Sequence, residues 1–307
     1  MSPRAARDRL DCILVARGLA PNRSRAQALI LAGRVTSEGR RLDKPGTRLA
    51  VDIPLDVRPG RRFVGRGGYK LAAALDSLGI EPAGAIALDV GASTGGFTQV
   101  LLERGARRVL AVDVGRGQLD WSLRKDRRVE VLEGVNARYL ETAQLSDLPA
   151  LATIDVSFIS TELILPAVVR CLAPHGEVAM LIKPQFEVGR GRVGKGGIVR
   201  DASLHREVVE RAVAFAAGHG WAVRGMCASA IRGAEGNREF FLHLQPDGVA
   251  VDRRELDRQI ADALACEPGG TAPHDGSSFP REASADDTDD PAPADRRADQ
   301  PPRTKHE

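Results

Sequence analysis

Cysteine is scarce in this chain and nowhere clustered. Cys12, Cys171, Cys227 and Cys266 stand far apart, without a C-x-x-C pair and without histidine at metal-ligand spacing. Neither a disulfide framework nor a zinc site is indicated, and no metal is expected. Long apolar runs are missing too: none approaches the roughly 20 residues that a membrane helix needs. The first residues carry Asp8 and Asp11 and no apolar stretch of signal-peptide length. The expectation is a cytoplasmic protein with no membrane partner.

What is present is charge, unevenly spread. The 307 residues carry a net charge of only +3. Residues 1–62 hold 14 Arg and Lys against 6 Asp and Glu, whereas residues 266–307 hold 5 against 10. The stretch between them is neutral. A basic segment of that density points to phosphate, because each Lys or Arg that neutralises one releases condensed counterions. The apolar fraction, 43%, suffices for one full domain plus something small.

The basic segment reads as two short helices followed by strands. Leu10, Ile13 and Leu14 share a helical face, and Gly18 stops that helix. Ser24 is expected to cap the second helix, with Gln27 as its capping-box partner. Ala28, Leu29, Leu31 and Ala32 supply its apolar side and Gly33 ends it. Short strands follow at Val35–Thr36, 38–40 and 49–57, and then a basic linker at 58–62. Arg17, Arg23, Arg25 and Arg34 gather around the helix ends as candidate RNA contacts. Through Leu10-Asp11, Ser24-Arg25-Ala26 and Gly33-Arg34-Val35 this segment resembles the S4 RNA-binding domain.

From residue 70 apolar strands alternate with helices. Strands are expected at 86–90, 109–114, 129–132, 153–156 and 178–182, and helices at 71–78, 97–104, 118–124, 162–172 and 204–218. That alternation specifies an α/β doubly wound parallel sheet. Two late strands, 222–228 and 239–244, are expected to pair antiparallel at one edge, which suits the class I, Rossmann-like methyltransferase fold. The domain plan is 1–62 for the S4-like module and linker, 63–250 for the catalytic domain, 251–265 for a C-terminal helix and 266–307 for a disordered acidic tail rich in Pro, Gly, Asp, Ala and Ser.

The strand Ile86–Val90 runs into a glycine loop. Asp89, Gly91, Ser93, Thr94, Gly95, Gly96 and Phe97 are the candidate cofactor contacts, since glycine lets the backbone approach a ligand and a helix N-terminus favours a carboxylate. Asp113 ends the next strand, where an acid accepts both hydroxyls of an adenosine ribose. The dinucleotide pattern G-x-G-x-x-G is absent, and the spacing favours S-adenosyl-L-methionine over a nicotinamide cofactor.

Lys70, Asp155, Lys183 and Glu239 are the candidate catalytic residues. Asp155 and Lys183 fall at strand ends on the side that holds the glycine loop. Lysine is costly to bury unpaired, so its presence beside apolar strands signals chemistry. A ribose hydroxyl needs a base before it becomes a nucleophile. Desolvation and a neighbouring Lys70 are expected to lower the pKa of Lys183 and free it to take that proton. Asp155 and Glu239 would orient the lysines, with Glu235 a second acid close by.

Together the stretches 67–71, 88–98, 113–119, 155–160, 183–189 and 236–241 resemble the TlyA family, whose catalytic domain is similar to the FtsJ-like group. That resemblance implies ribose 2′-O-methylation of ribosomal RNA, at cytidine, on one or both ribosomal subunits. It also implies Lys70, Asp155, Lys183 and Glu239 as a catalytic tetrad. Rival chemistries lack their signatures: the segment 155–158 is not the Asn/Asp-Pro-Pro-aromatic loop of amine methylation, and no cysteine sits where carbon-5 chemistry needs one. Arg41-Leu42-Asp43 has the letters of a pseudouridine synthase motif but lies inside the S4-like segment. A non-catalytic RNA-binding assembly factor and a membrane-active haemolysin are the remaining, weaker readings.

Overall fold

A computed structural model describes residues 6–58, 62–189, 191–246 and 248–269. The expected acidic tail lies, from residue 270 onward, outside the described residues. In the N-terminal module, strand β1 (Arg7–Arg9) leads into helices α1 (Leu10–Ala16) and α2 (Arg23–Leu31). Strands β2 (Val35–Ser37), β3 (Arg40–Arg41), β4 (Arg48–Ala50) and β5 (Asp56–Val57) follow. Leu10, Leu14, Ala26, Leu29, Ile30 and Val35 make its small core.

Three local expectations are corrected here. Helix α2 is capped by Asn22, whose side chain accepts from the Arg25 N–H at 2.9 Å, and Ser24 lies inside the helix. Ala26 and Ile30 face the core while Leu31 is 65% exposed, so the helix is rotated from the expected apolar side. The strand expected over 49–57 is two: β4 pairs with β1, a strand that was not expected, and β5 with β2.

The larger domain runs α3 (Gly67–Leu78), β6 (Ile86–Val90), α4 (Gly96–Glu103), β7 (Arg108–Asp113), α5 (Trp121–Arg124) and β8 (Val129–Glu133). It continues through β9 (Leu151–Ile154), α6 (Thr161–Arg170), β10 (Glu177–Ile182), α7 (Pro184–Glu187) and α8 (Ala202–Gly218). Strands β11 (Ala222–Ala228) and β12 (Phe240–Gln245) and helix α9 (Arg253–Ala265) complete it. Helix α5 is shorter than expected, because Asp120 caps it through the Ser122 N–H.

The strands form one seven-stranded sheet in the order β11-β12-β10-β9-β6-β7-β8. All are parallel except β12, which runs antiparallel between β10 and β11. Strand residues alternate between two cores, as the period of two requires. Leu88, Val90, Ile154 and Ile182 face α6, α8 and α9, while Ala87, Val109, Leu181 and Phe241 face α3 and α4. At roughly 25 cal/mol per Å2 of apolar surface removed from water, these two layers are the main source of stability. The strand order reverses between β6 and β9, the place where such sheets open a crevice for a ligand.

Candidate active site

At that reversal the loop after β6 and the residue after β9 stand side by side. The Asp155 N–H donates to the Val90 carbonyl at 2.9 Å. Gly91 has φ +84°, and a methyl group there would overlap the Asp155 carbonyl. Glycine is required twice over, by backbone sign and by contact. The loop then meets the segment entering α3: a methyl on Gly96 would reach the Gly68 nitrogen at 2.8 Å. Phe97 packs on Phe241 with ring centroids 6.0 Å apart. A cavity of about 190 Å3 opens here, lined among others by Arg66, Gly67, Gly91, Ser93, Thr94 and Asp155.

The two acids flagged for the cofactor behave differently. Asp113 holds the loop in shape: one carboxylate oxygen accepts the Ser93 N–H and the other the Gly115 N–H, both at 2.7 Å. Ser93 sits at φ +46°, an unfavourable conformation that this bond helps to hold. Asp113 is only partly buried, and its remaining lone pairs are free to accept further donors. Asp89 is fully buried on the α4 side of the sheet, outside the cavity lining, and accepts from Thr98 Oγ1 at 2.6 Å and Thr153 Oγ1 at 3.2 Å. Burial pushes its carboxyl up to about 7 against the pull of those hydroxyls. Its place is beneath the loop, tying β6 to α4 and β9.

The four candidate catalytic side chains form two short ion pairs. Lys183 Nζ lies 2.6 Å from Asp155 Oδ1 and donates to Ser157 Oγ at 2.9 Å. Lys70 Nζ lies 2.6 Å from Glu239 Oε2. All four side chains are largely buried, Asp155 the least, so each ammonium has the partner that burial demands. Topology explains the convergence. Asp155 and Lys183 follow parallel neighbours β9 and β10, and Glu239 immediately precedes the antiparallel β12, whose first residue pairs with Ile182. Glu239 was expected to open that strand and instead stands one residue before it. Glu235 is exposed, so the acid that meets Lys70 is Glu239.

Residues not singled out from the sequence complete the site. Arg66 Nη2 donates to the carbonyls of Arg232 at 2.5 Å and Gly233 at 3.2 Å, joining the α3 entrance to the Glu239 segment. Glu187 is buried and accepts from Ser160, Thr161 and Arg211, so it pins the start of α6 to the turn after Lys183. Phe158, at φ +62° and 86% exposed, rests on Phe186 with centroids 4.9 Å apart. Phe186 in turn lies 5.8 Å from Lys183 Nζ. An aromatic ring displayed to solvent on a strained backbone is the one signal that would have drawn attention to this position.

In the N-terminal module, Arg17 and Arg25 are exposed and Arg34 is half-buried. Arg17 Nη1 donates to the Ile53 carbonyl at 2.6 Å. Asp11 is fully buried and collects Arg9, Arg23 and Gln27 through bonds of 2.8 to 3.1 Å. The Arg9 hydrogen bonds, with help from Gln27 and Arg23, hold its carboxyl well below the usual range. Gln27, expected in a capping box, serves this hub instead. Among the described residues no helix is long and apolar enough to cross a membrane, and no group of His, Cys, Asp and Glu could hold a metal ion.

Comparison with known proteins agrees with this layout. Residues 63–246 match the FtsJ-like methyltransferase family and residues 8–52 match the S4 domain. The chain is 46% identical over 262 residues to the Mycobacterium tuberculosis 16S/23S rRNA (cytidine-2′-O)-methyltransferase TlyA, covering 85% of this chain and 97% of that one. It is 39% identical to Hemolysin A of Brachyspira hyodysenteriae, over 76% of this chain and 98% of the relative. A solved structure of a Streptococcus thermophilus protein with the provisional name hemolysin superposes at TM-score 0.64, with 42% identity, over 85% of this chain and 97% of that one. The chain is a methyltransferase of the FtsJ-like family and, within it, a member of the S4-bearing TlyA group.

Proposed function

We propose that this protein transfers a methyl group from S-adenosyl-L-methionine to a ribose 2′-hydroxyl of ribosomal RNA, at cytidine. The observation that carries the reading is the pairing of Lys183 with Asp155 and of Lys70 with Glu239 directly beside the glycine loop. The relative from Mycobacterium tuberculosis bears that activity in its name.

The loop suits the cofactor. Gly91 and Gly96 leave its backbone open to close approach, and the partly exposed Asp113 carboxylate can accept ribose hydroxyls. When bound, the cofactor supplies a methyl group on a positively charged sulfur. The protein does the rest. As a neutral amine, Lys183 would accept the proton of the 2′-hydroxyl, so that its oxygen could take the methyl group while the methyl–sulfur bond breaks and the sulfur leaves as an uncharged thioether. Asp155 and Ser157 hold the amine in place, and Lys70 with Glu239 fixes the far side of the cleft. Because methyl transfer is an in-line displacement, this positioning supplies much of the rate. The open face of Phe158 is suited to stack a base drawn out of its helix. The S4 arginines bind phosphate and fix the register of the RNA.

Incubating the protein with deproteinised or subunit-bound ribosomal RNA and isotope-labelled cofactor tests this. Label recovered as a 2′-O-methyl nucleoside supports the proposal, and label on a base overturns it.

A further inference from the structure

The segment that delivers Glu239 is anchored from outside the cleft. Arg238, immediately before it, is buried and turns toward the C-terminal end of α9. Its Nη2 donates to the carbonyls of Ala263 at 3.0 Å, Leu264 at 2.8 Å and Cys266 at 2.8 Å. The last turn of a helix leaves such carbonyls without donors, and a cation there also meets the negative end of the helix dipole. The buried Nε of Arg238 has no hydrogen-bond acceptor, and the guanidinium lies 5.7 Å from the Phe240 ring. The helix end is therefore what holds it.

A second arginine repeats the tie. Arg232 Nη2 lies 2.5 Å from Glu267 Oε2, just past α9, and Nη1 donates to the Gly236 carbonyl at 3.2 Å. Gly233 packs so closely on the Glu239 carboxylate that a methyl group there would overlap it. Loop 232–239 is thus gripped by the end of α9 on one side and by Arg66 on the other. Helix α9 begins after residue 246, where the FtsJ-like match stops.

We infer that the end of α9, acting through Arg238, fixes the Glu239 carboxylate in the orientation that holds Lys70. Neighbouring residues entering a strand alternate sides, so locking Arg238 on one side sets Glu239 on the other. Arg238 is a positioning residue; it has no place in the cavity lining. The inference rests on the tetrad reading proposed above.

The test compares Arg238→Met, Arg238→Lys and Glu239→Gln in the full chain. It measures kcat at saturating RNA and cofactor, cofactor Kd by calorimetry, and thermal midpoint. Arg238→Met is expected to lower kcat by about 10- to 100-fold with cofactor Kd changed by less than about twofold, the signature of an interaction used in the transition state. Arg238→Lys, which keeps the cation but is one atom shorter than the arginine whose Nη2 reaches the three carbonyls, is expected to fall between it and the parent. The double variant Arg238→Met/Glu239→Gln is expected to be no slower than Glu239→Gln alone, because the one residue acts through the other. A multiplied loss marks Arg238 as general scaffolding and overturns the inference. Wild-type kcat in Arg238→Met, with Glu239→Gln slow, overturns this inference alone. Glu239→Gln at the wild-type rate overturns the tetrad reading beneath it. Should Arg238→Met fail to fold, Arg238→Lys carries the same test: lowered kcat at unchanged cofactor Kd supports the inference, and wild-type kcat overturns it.

Discussion

Ile182 and Phe240 face each other across the antiparallel β10–β12 pair. The residue that follows the first and the residue that precedes the second, Lys183 and Glu239, therefore leave the sheet at the same edge. Insertion of β12 next to β10 is what gives the site its second acid, since a parallel strand in that place would start at the opposite edge.

Removing the proposed base isolates the chemical step. Lys183→Ala is expected to lower methyl transfer by about 100- to 10,000-fold, the usual worth of a placed general base. Cofactor binding should change little, because Lys183 is absent from the cavity lining. Calorimetry beside a single-turnover assay separates the two effects. A parallel loss of cofactor affinity would place Lys183 in the binding site instead.

Asp89 and Asp11 should leave opposite marks on the pH dependence of stability. The Asp89 carboxyl is raised from 3.8 to about 7 by burial. The folded state then binds a proton that the unfolded state releases, so the stability linked to Asp89 falls as pH rises from about 4 to about 7. Asp11 is lowered, chiefly by its bonds to Arg9. Its contribution is present above the ordinary carboxylate range and is lost on acidification below about pH 4. Thermal melts should therefore show Asp89→Asn flattening the curve between pH 4 and 7, and Asp11→Asn removing an acid-labile part. An unchanged curve in Asp89→Asn would mean that the carboxyl keeps its charge in the folded protein.

The S4 arginines separate by their partners. Arg25 is exposed and lies beside the α2 cap, so Arg25→Ala should leave the melting temperature within about 1 °C while reducing the salt slope of RNA binding by about 0.7 to 0.9. Asp11→Ala should instead loosen Arg9, Arg23 and Gln27 together and destabilise the module by about 1–3 kcal/mol. Filter binding across a salt series, run beside thermal melts, distinguishes a phosphate contact from a structural hub.

Phe158→Ala tests the displayed ring. Little folding energy rests on a side chain that is 86% exposed, so stability should hold. Turnover on RNA should fall by about 10-fold or more, in line with about 1–3 kcal/mol per stacked base. Turnover equal to the parent's would remove Phe158 from base recognition.

Much of this was legible in the sequence because periodicity and topology act together. The strand 86–90 falls where expected, since a run buried on both faces leaves little ambiguity, and 222–228 does so at the edge of the sheet even though Arg224 is exposed. The four candidate catalytic residues are marked by lysines beside apolar strands and by family resemblance. Less legible were features set by tertiary contact. Asn22 wins the α2 cap from Ser24 by two residues, a difference within the ordinary uncertainty of helix boundaries. Asp89 reads as a ligand contact from its motif, yet the pleat of β6 points it at Thr98 and Thr153. The roles of Arg66 and Arg238 depend on partners more than 20 residues distant, which no local pattern reveals.

The most direct test is a matched pair of reactions on ribosomal RNA, one with the parent protein and one with Lys183→Ala, each digested to nucleosides and resolved by mass spectrometry. The expected result is 2′-O-methylcytidine from the parent and almost none from the variant, with both proteins binding the cofactor equally. A methyl group on a base, or equal 2′-O-methyl yield from both, would contradict the assignment of these paired lysines and acids to ribose chemistry.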